Sequence, residues 1–162
     1  KKNQFEMSKD AVHAHDLIED AISHIELIVE DRNGYIKTHL DAAHSMVMAN
    51  DTHFTNVLVN ILDNAIKYSG QVPVIRLKTK NTTAGLEITV SDNGTGMTKQ
   101  QINLVFQKFY RVPTGNVHNI KGFGLGLYYV KLIVGAHQGK IDLQSEPGKG
   151  TTFNITLPKL QP

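Results

Sequence analysis

Two asparagines and a lysine lie along one face of a predicted helix, where they could bind a metal ion and phosphate together. In the segment NILDNAIKY, Asn60, Asn64 and Lys67 fall within about 60° of one another at 100° per residue. A solvated face is the alternative, but such faces favour glutamate and lysine because asparagine is a poor helix former. An amide oxygen is a neutral ligand for Mg²⁺, and the lysine adds a cation. The stripe therefore predicts half of a Mg–polyphosphate site.

Two glycine-rich segments after this helix could supply the other half. DNGTG (92–96) follows a predicted strand, and GFGLGL (122–127) opens a predicted helix. Backbone N–H groups in glycine loops and at helix N-termini bind phosphate oxygens well. Each segment alone is a common turn, and neither matches a Walker loop or a dinucleotide-binding unit. Their order after the asparagine helix is what indicates a nucleotide site.

The composition fits one globular domain and excludes several classes of protein. The 162 residues are 40% hydrophobic and suffice for a buried core. A net charge of +2 gives no reason to expect nucleic acid or a membrane surface as partner. The absence of cysteine excludes disulfides and thiolate metal sites. No apolar run approaches the ~18–20 residues of a membrane span, so we expect a cytoplasmic domain.

Periodicity predicts helices and hairpins that would position these motifs. The spacing predicts an α+β fold, a two-layer α/β sandwich with a mixed, mostly antiparallel sheet and helices on one face. Asp51 is the expected N-cap of the asparagine helix. Four breakers make residues 111–124 a long loop. The predicted helices are 10–31, 51–68, 98–110 and 125–137, and the predicted strands are 35–42, 74–80, 86–92 and a terminal hairpin over 139–158.

The ordered motifs resemble those of the catalytic and ATP-binding domain of sensor histidine kinases. This family belongs to a superfamily with gyrase, a heat-shock chaperone and mismatch-repair ATPases. NILDNAIKY resembles the N box, SDNGTGM the first glycine box, VFQKFYR the F box, GFGLGLYYVK the second glycine box and PGKGTTF the last one. The resemblance covers nearly the whole chain, so residues 1–162 are predicted to be a single ATP-binding catalytic domain.

The resemblance implies a role for each matching residue near the nucleotide. Asn64 would be the Mg²⁺ ligand, with Asn60 beside it and Lys67 on phosphate oxygens. Asp92 would accept a hydrogen bond from the adenine 6-amino group, and Tyr68 would pack near the base. A buried carboxylate that reads this donor should reject guanine, whose 6-position is an acceptor.

The glycine boxes and the loop between them would complete the nucleotide site. Gly94 and Gly96 would let the backbone approach the base, and Thr152 would complete the adenine contacts. Residues from about 97 to 123 would form an ATP lid, with Gly124 and Gly126 as hinges. The lid and second glycine box contribute Ile120, Gly122, Gly124, Leu125, Gly126 and Leu127 to the predicted nucleotide-binding set.

The lid would also bring cations to the reaction. Arg111 and Lys121 could meet the γ-phosphate or the acceptor helix, and the alternative is a solvated loop. Phe106 and Phe109 of the F box would anchor the lid to the core.

Asn60 indicates phosphate transfer rather than hydrolysis. In the hydrolysing relatives, a glutamate at this position activates water, whereas an amide cannot take a proton. General base catalysis typically contributes ~10²–10⁴-fold. We therefore expect Mg-ATP to be bound with little hydrolysis and its γ-phosphate to pass to an external histidine, through positioning and the electrostatics of the metal.

The phosphoacceptor histidine of such kinases has no match in this chain. His15-Asp16 is the nearest pair, but the expected Arg or Thr-Pro does not follow, so His15 is interpreted as a surface histidine of a helix. The start KKNQFEMS, without an initiator methionine, suggests a domain cut from a longer kinase, for which a membrane anchor is one alternative. We expect a monomer that does not phosphorylate itself, whose partners are ATP or ADP, a separate dimerisation and phosphoacceptor segment and, indirectly, a response regulator.

Three other functions use similar residues. A serine kinase of the anti-sigma-factor type shares the fold, but its relatives lack an F box like FQKFYR. A degenerate nucleotide-sensing module is disfavoured because the recognisable nucleotide-facing positions are intact. A gyrase- or chaperone-like ATPase is disfavoured by Asn60 and by the short length.

Overall fold

A five-stranded sheet with helices packed on one face forms the frame of the protein. The computed structural model describes residues 7–69, 72–108, 110 and 126–160. Their elements in chain order are β1 (Asp10–His13), α1 (Ala14–Asp31), β2 (Tyr35–Leu40), β3 (Met46–Ala49), α2 (Asp51–Lys67), β4 (Val74–Asn81), β5 (Gly85–Asp92), α3 (Lys99–Leu104), α4 (Gly126–Ala136), β6 (Lys140–Glu146) and β7 (Gly150–Pro158).

The large sheet has the order β2-β4-β5-β7-β6. β2 runs parallel to β4, and the other neighbouring strands pair antiparallel. Alternate side chains of β5 and β7 are buried, as expected of a sheet with one covered face. The predicted α+β class, with a mixed and mostly antiparallel sheet, is therefore confirmed.

Helix α2 is the centre of the helical layer. It packs against both α1 and α4, and Phe54, Leu58, Ile61 and Leu62 are among its fully buried side chains. The apolar face of α2 thus points into the core, which leaves the asparagine stripe on the remaining surface.

The first sequence prediction to fail is the helix over 10–31. Residues 10–13 form β1, which pairs antiparallel with β3 in a separate two-stranded sheet, and the helix begins only at Ala14. Neither four-residue strand is long enough to show a period, and their pairing depends on contacts distant in sequence.

Two helix boundaries also differ from the prediction. Asn50, not Asp51, is the N-cap of α2, because its side chain accepts a hydrogen bond from the His53 N–H at 2.9 Å. The predicted helix 98–110 is α3, which spans Lys99–Leu104 and has Thr98 as its N-cap in a capping box. The predicted loop 111–124 lies outside the described residues.

No helix among the described residues is long and apolar enough to cross a membrane.

Candidate functional site

The asparagine stripe of α2 lies beside the first turn of α4. The side-chain nitrogen Nδ2 of Asn60 donates a hydrogen bond to the backbone carbonyl oxygen of Asn56 at 2.8 Å. This leaves the Asn60 Oδ1 atom facing α4, where a Cβ atom added to Gly126 would lie 3.3 Å from it. A residue larger than glycine at position 126 would therefore crowd the Asn60 amide.

Asn64 is the residue of the stripe best placed to bind a metal ion. Its half-buried side chain lines a cavity and forms no hydrogen bond within the described residues. Those residues contain no cluster of three histidine, cysteine or acidic side chains that could hold a metal on its own. A neutral amide oxygen fits Mg²⁺, which takes few protein ligands and keeps several waters.

Lys67 ends α2 next to the stripe and forms an ion pair there. Its ammonium nitrogen lies 2.9 Å from Asp63 Oδ2, one turn earlier on the same helix. Such a partly exposed i,i+4 pair contributes little to stability but orients the lysine. The role of Lys67 on phosphate oxygens stays a prediction.

Asp92, at the end of β5, uses one carboxylate oxygen to organise the glycine box. Its Oδ1 atom accepts hydrogen bonds from the N–H of Gly94 at 2.8 Å and from the N–H of Thr151 at 3.2 Å. Burial raises the pKa of the Asp92 carboxyl, and the two backbone hydrogen bonds oppose that rise. The Oδ2 atom forms no hydrogen bond among the described residues, so it is available to a ligand donor.

A narrow cavity lies between Asn64 and Asp92. It has a volume of about 30 Å³. Its wall combines an amide, a carboxylate, hydroxyls and apolar surface, the mixture found in ligand sites, but this volume is about that of one water, so a purine base would require the cavity to widen. The lining residues are Asn64, Tyr68, Asp92, Thr95, Gly96, Met97, Thr151 and Phe153.

The glycines of the first box are required by contacts within the protein. A Cβ atom on Gly94 would lie 2.7 Å from the carbonyl oxygen of Tyr68. Gly96 has a φ of +71°, and its added Cβ would lie 1.9 Å from the carbonyl oxygen of Glu146. The sequence prediction explained these glycines by the close approach of the base. In the structure, each glycine packs closely against a backbone carbonyl group of another residue of the chain.

The prediction for Thr152 is corrected to its neighbour. Thr151 is buried, lines the cavity and bonds Asp92 through its N–H. Thr152 pairs with Ser91 across the strands, and their hydroxyl oxygens are 3.1 Å apart. Successive side chains of a strand point to opposite faces of the sheet, so only one of the two threonines can face the helices.

The sequence reasoning missed a polar junction between α2 and α4. The Tyr129 hydroxyl lies 2.9 Å from His53 Nδ1 and 3.4 Å from the His53 carbonyl oxygen. Burial raises the pKa of the Tyr129 phenol, and a hydrogen bond with the Asn56 side chain opposes that rise. The only sequence signal was that His53 and Asn56 continue the spacing of the stripe towards the start of α2.

The F box is in place as far as the structure describes it. Phe106 is half-buried and packs against the core, with the Lys131 ammonium 5.4 Å from its ring centre. The Lys108 ammonium lies 5.7 Å from the centre of the Tyr128 ring. These two cation–π contacts join the F box to α4.

Several predicted residues lie outside the described part of the chain. The second glycine box is described only from Gly126 onward, where Leu127 is buried in the core. The residues outside are Phe109, Arg111, Ile120, Lys121, Gly122, Gly124 and Leu125.

His15 has a structural contact that the sequence did not indicate. It is half-buried, and its Nε2 atom lies 2.8 Å from the hydroxyl oxygen of Thr79, which is itself buried. His15 thus lies on a helix as predicted and is partly exposed, with a hydrogen-bond partner on β4.

Comparisons with known proteins show which family the chain resembles. A family profile described as histidine kinase-, DNA gyrase B-, and HSP90-like ATPase matches residues 49–161. The sensor protein RprX of Bacteroides fragilis is 45% identical over 91% of this chain and 29% of its own length. The sensor-like histidine kinase SenX3 of Mycolicibacterium smegmatis is 29% identical over 93% of this chain and 39% of its own length.

The same fold occurs in a solved structure. The catalytic domain of histidine kinase ThkA superposes with a TM-score of 0.81 at 23% identity, over 94% of this chain and 97% of that one. The chain thus matches nearly the whole length of the solved ThkA domain, but it spans only 29% of RprX and 39% of SenX3.

Proposed function

The chain belongs to the family of histidine kinase-, DNA gyrase B- and HSP90-like ATPases, and from that premise we propose that it binds Mg-ATP and donates the γ-phosphate to a histidine on a separate dimerisation and phosphoacceptor segment. One observation carries the proposal. A single cavity has the Asn64 amide at one side and the Asp92 carboxylate at another, and neither the Asn64 side chain nor Asp92 Oδ2 forms a hydrogen bond within the described residues.

Asp92 is proposed to select adenine. The free Oδ2 atom can accept a hydrogen bond from the 6-amino group, while Oδ1 is held by two backbone N–H groups. Guanine would place an acceptor against this carboxylate, and such a polar mismatch can be worth ~10⁴-fold in discrimination. Thr151 and Tyr68 complete the wall around the base.

Asn64 is proposed to hold Mg²⁺ together with the phosphates, with Asn60 and Lys67 beside them. Bound there, the metal would neutralise phosphate charge. Asn60 presents an amide, which cannot serve as a general base, so this chain's part in the reaction is to orient the phosphates and leave the nucleophile to its partner. Arg111 and Lys121 are proposed to contribute cations from the lid.

The partner and cellular setting follow from the relatives as proposals. The chain covers less than half of RprX and of SenX3. We therefore propose that a longer parent kinase carries the phosphoacceptor segment and senses the signal, and that a response regulator is its indirect partner. We propose that this domain acts on the cytoplasmic side, is monomeric in isolation and does not phosphorylate itself.

Transfer to an added phosphoacceptor segment tests the function. The chain is incubated with ATP labelled at the γ-phosphate, alone and with a purified two-helix phosphoacceptor segment of a histidine kinase. We expect acid-labile label on the added segment and none on this chain, and Asn64→Ala should abolish the transfer. Label on this chain, or transfer to serine, would overturn the proposal.

Restoring a general base tests why hydrolysis should be slow. Asn60→Glu places a carboxylate where the hydrolysing relatives carry one. We expect the ATPase rate to rise by about tenfold or more, since general base catalysis is worth ~10²–10⁴-fold in a well-placed site. Asn60→Gln, which has the same length without a base, is the matched control. An unchanged rate with intact ATP binding would remove the missing base as the explanation.

A further inference from the structure

Helix α4 is fixed against α2 by contacts at three levels. At its start, Gly126 lies next to the Asn60 amide. At its end, His137 accepts a hydrogen bond from the Asn50 N–H at 3.1 Å and packs edge-on against the Phe54 ring. The two helices therefore run antiparallel, and the Tyr129 junction lies between these ends.

The Tyr129 junction lies on the same face of α2 as the proposed metal and phosphate residues. His53, Asn56, Asn60 and Asn64 follow one another at intervals of three or four residues, so they form one row. Tyr129 likewise follows Gly126 by three residues, about one helical turn. The hydroxyl group that reaches His53 is thus aligned with the turn of α4 that lies next to Asn60.

The remaining contacts of α4 do not fix its rotation as strictly. Leu127, Val130, Ile133 and Val134 are buried in the core, and burial of apolar surface has no preferred direction. A hydrogen bond is directional, and the Tyr129 hydroxyl is within reach of two atoms of His53 and of the Asn56 side chain. This hydroxyl therefore adds a directional constraint on the rotation and height of the first turn of α4.

We propose that Tyr129, held by His53 and Asn56, is a positioning residue that fixes the first turn of α4 over Asn60 and so sets the affinity for the phosphates of the nucleotide. The inference rests on the proposed function and on the sequence-based expectation that the second glycine box, which opens α4, donates backbone N–H groups to phosphate. We expect an effect on phosphate binding alone, because Tyr129, His53 and Asn56 do not line the cavity proposed for the base.

The test compares a nucleotide that has phosphates with one that lacks them. Tyr129→Phe keeps the ring and removes the hydroxyl. We expect the affinity for the Mg²⁺ complex of a non-hydrolysable ATP analogue to fall about two- to tenfold, the range for one net hydrogen bond. The affinity for adenosine, measured by competition against the same analogue, should not change. The unfolding midpoint of each variant confirms that it is folded.

Tyr128→Phe is the matched control, because Tyr128 is the adjacent tyrosine of α4 and its ring faces Lys108 instead. We expect it to leave both affinities unchanged. Equal losses for adenosine and the ATP analogue on Tyr129→Phe would mean a general structural role and overturn the inference. If the wild-type protein binds the ATP analogue and Tyr129→Phe binds it equally well, the inference is also overturned. A wild-type protein that binds neither ligand would overturn the proposed function, and the inference with it.

Discussion

At the scale of single residues, Asp92 uses its two oxygens for different purposes. Oδ1 holds the glycine box to β7 through the N–H groups of Gly94 and Thr151, and Oδ2 is left to the ligand. Burial raises the carboxyl pKa above 3.8, so between that value and the raised pKa the folded chain binds more protons than the unfolded one. The free energy of unfolding therefore falls as the pH rises through this window.

The substitution Asp92→Asn should separate binding from stability. Asparagine keeps an oxygen for the two backbone N–H groups but replaces Oδ2 by an NH₂ group, which would face the adenine amino group. We expect ATP affinity to fall by at least about 100-fold, because a charged hydrogen bond is lost and two donors are opposed. Stability near neutral pH should be unchanged or higher, because a desolvated charge is removed.

Calorimetric titration and urea denaturation measure these two quantities. Asp142→Asn, on an exposed position of β6, makes the same chemical change away from the cavity and should alter neither. Retained ATP affinity in Asp92→Asn would contradict the role given to this carboxylate.

The secondary-structure elements that carry Asn64 and Asp92 could be predicted, because each depends on the pattern of neighbouring residues in the sequence. Asn64 lies on a long amphipathic helix and Asp92 ends an alternating strand, so both could be placed from the pattern alone. Thr151 could have been chosen over Thr152 from the alternation with buried Phe153 and Ile155. The contact of His53 with Tyr129 could not, because it depends on the rotation of α4 against α2.

At the scale of elements, the end of α4 is fixed by a buried histidine. His137 Nδ1 lies 2.8 Å from the carbonyl oxygen of Ile133, and Nε2 accepts the Asn50 N–H, an arrangement that requires the neutral imidazole. Burial lowers the pKa of His137 below 6.5, the hydrogen bond to Ile133 opposes this, and Lys9 and His53 lower it further. Protonation would therefore break the contact between α4 and the N-cap of α2.

Acid should weaken the fold through His137. Between its lowered pKa and 6.5 the unfolded chain binds more protons, so the free energy of unfolding falls as the pH decreases through that window. His137→Gln cannot be protonated. We expect it to lose less stability than the wild type between about pH 7.5 and about pH 5 in urea titrations, whatever its stability at the higher pH.

His39→Gln serves as the control for this pH dependence, because His39 is exposed on β2. It should behave as the wild type does. The contribution of Asp92 has the opposite sign and is common to all these proteins, so it cancels in the comparison. Parallel pH profiles for His137→Gln and the wild type would contradict the assignment.

Two glycines should respond in opposite directions to alanine. Gly135 lies inside the last turn of α4, and an added Cβ meets nothing within 4 Å, so Gly135→Ala should stabilise by about 0.5–1 kcal/mol. Gly96→Ala should destabilise by about 3 kcal/mol or more, because a positive φ and a backbone clash add together. Urea denaturation checks both values. Equal effects would mean that the first glycine box rearranges easily.

Element boundaries were predictable only where the period was long. α2 and β5 were placed within one residue of their observed ends, because each carries an extended apolar pattern. β1 and β3 were missed because neither four-residue strand shows a period. α3 ends earlier than predicted, because residues 105–107 leave the helix in a turn in which the Gln107 N–H bonds the Leu104 carbonyl oxygen.

At the scale of the whole molecule, the layered architecture followed from the order of helices and hairpins. The order of the elements did not predict that β5, β7 and the end of α2 lie side by side. This contact brings Asp92, Thr151 and Asn64 around one cavity. The antiparallel pairing of β5 with β7 makes that juxtaposition, through residues about 60 positions apart in sequence.

The most direct test of the ATP site is a calorimetric titration with a non-hydrolysable ATP analogue, with and without Mg²⁺, and with the matching GTP analogue. We expect binding of the adenine nucleotide that strengthens with Mg²⁺, at least about 100-fold weaker binding of the guanine nucleotide, and loss of the Mg²⁺ dependence in Asn64→Ala. Equal binding of both nucleotides would contradict the role of Asp92. No binding by the folded domain would contradict the site as a whole.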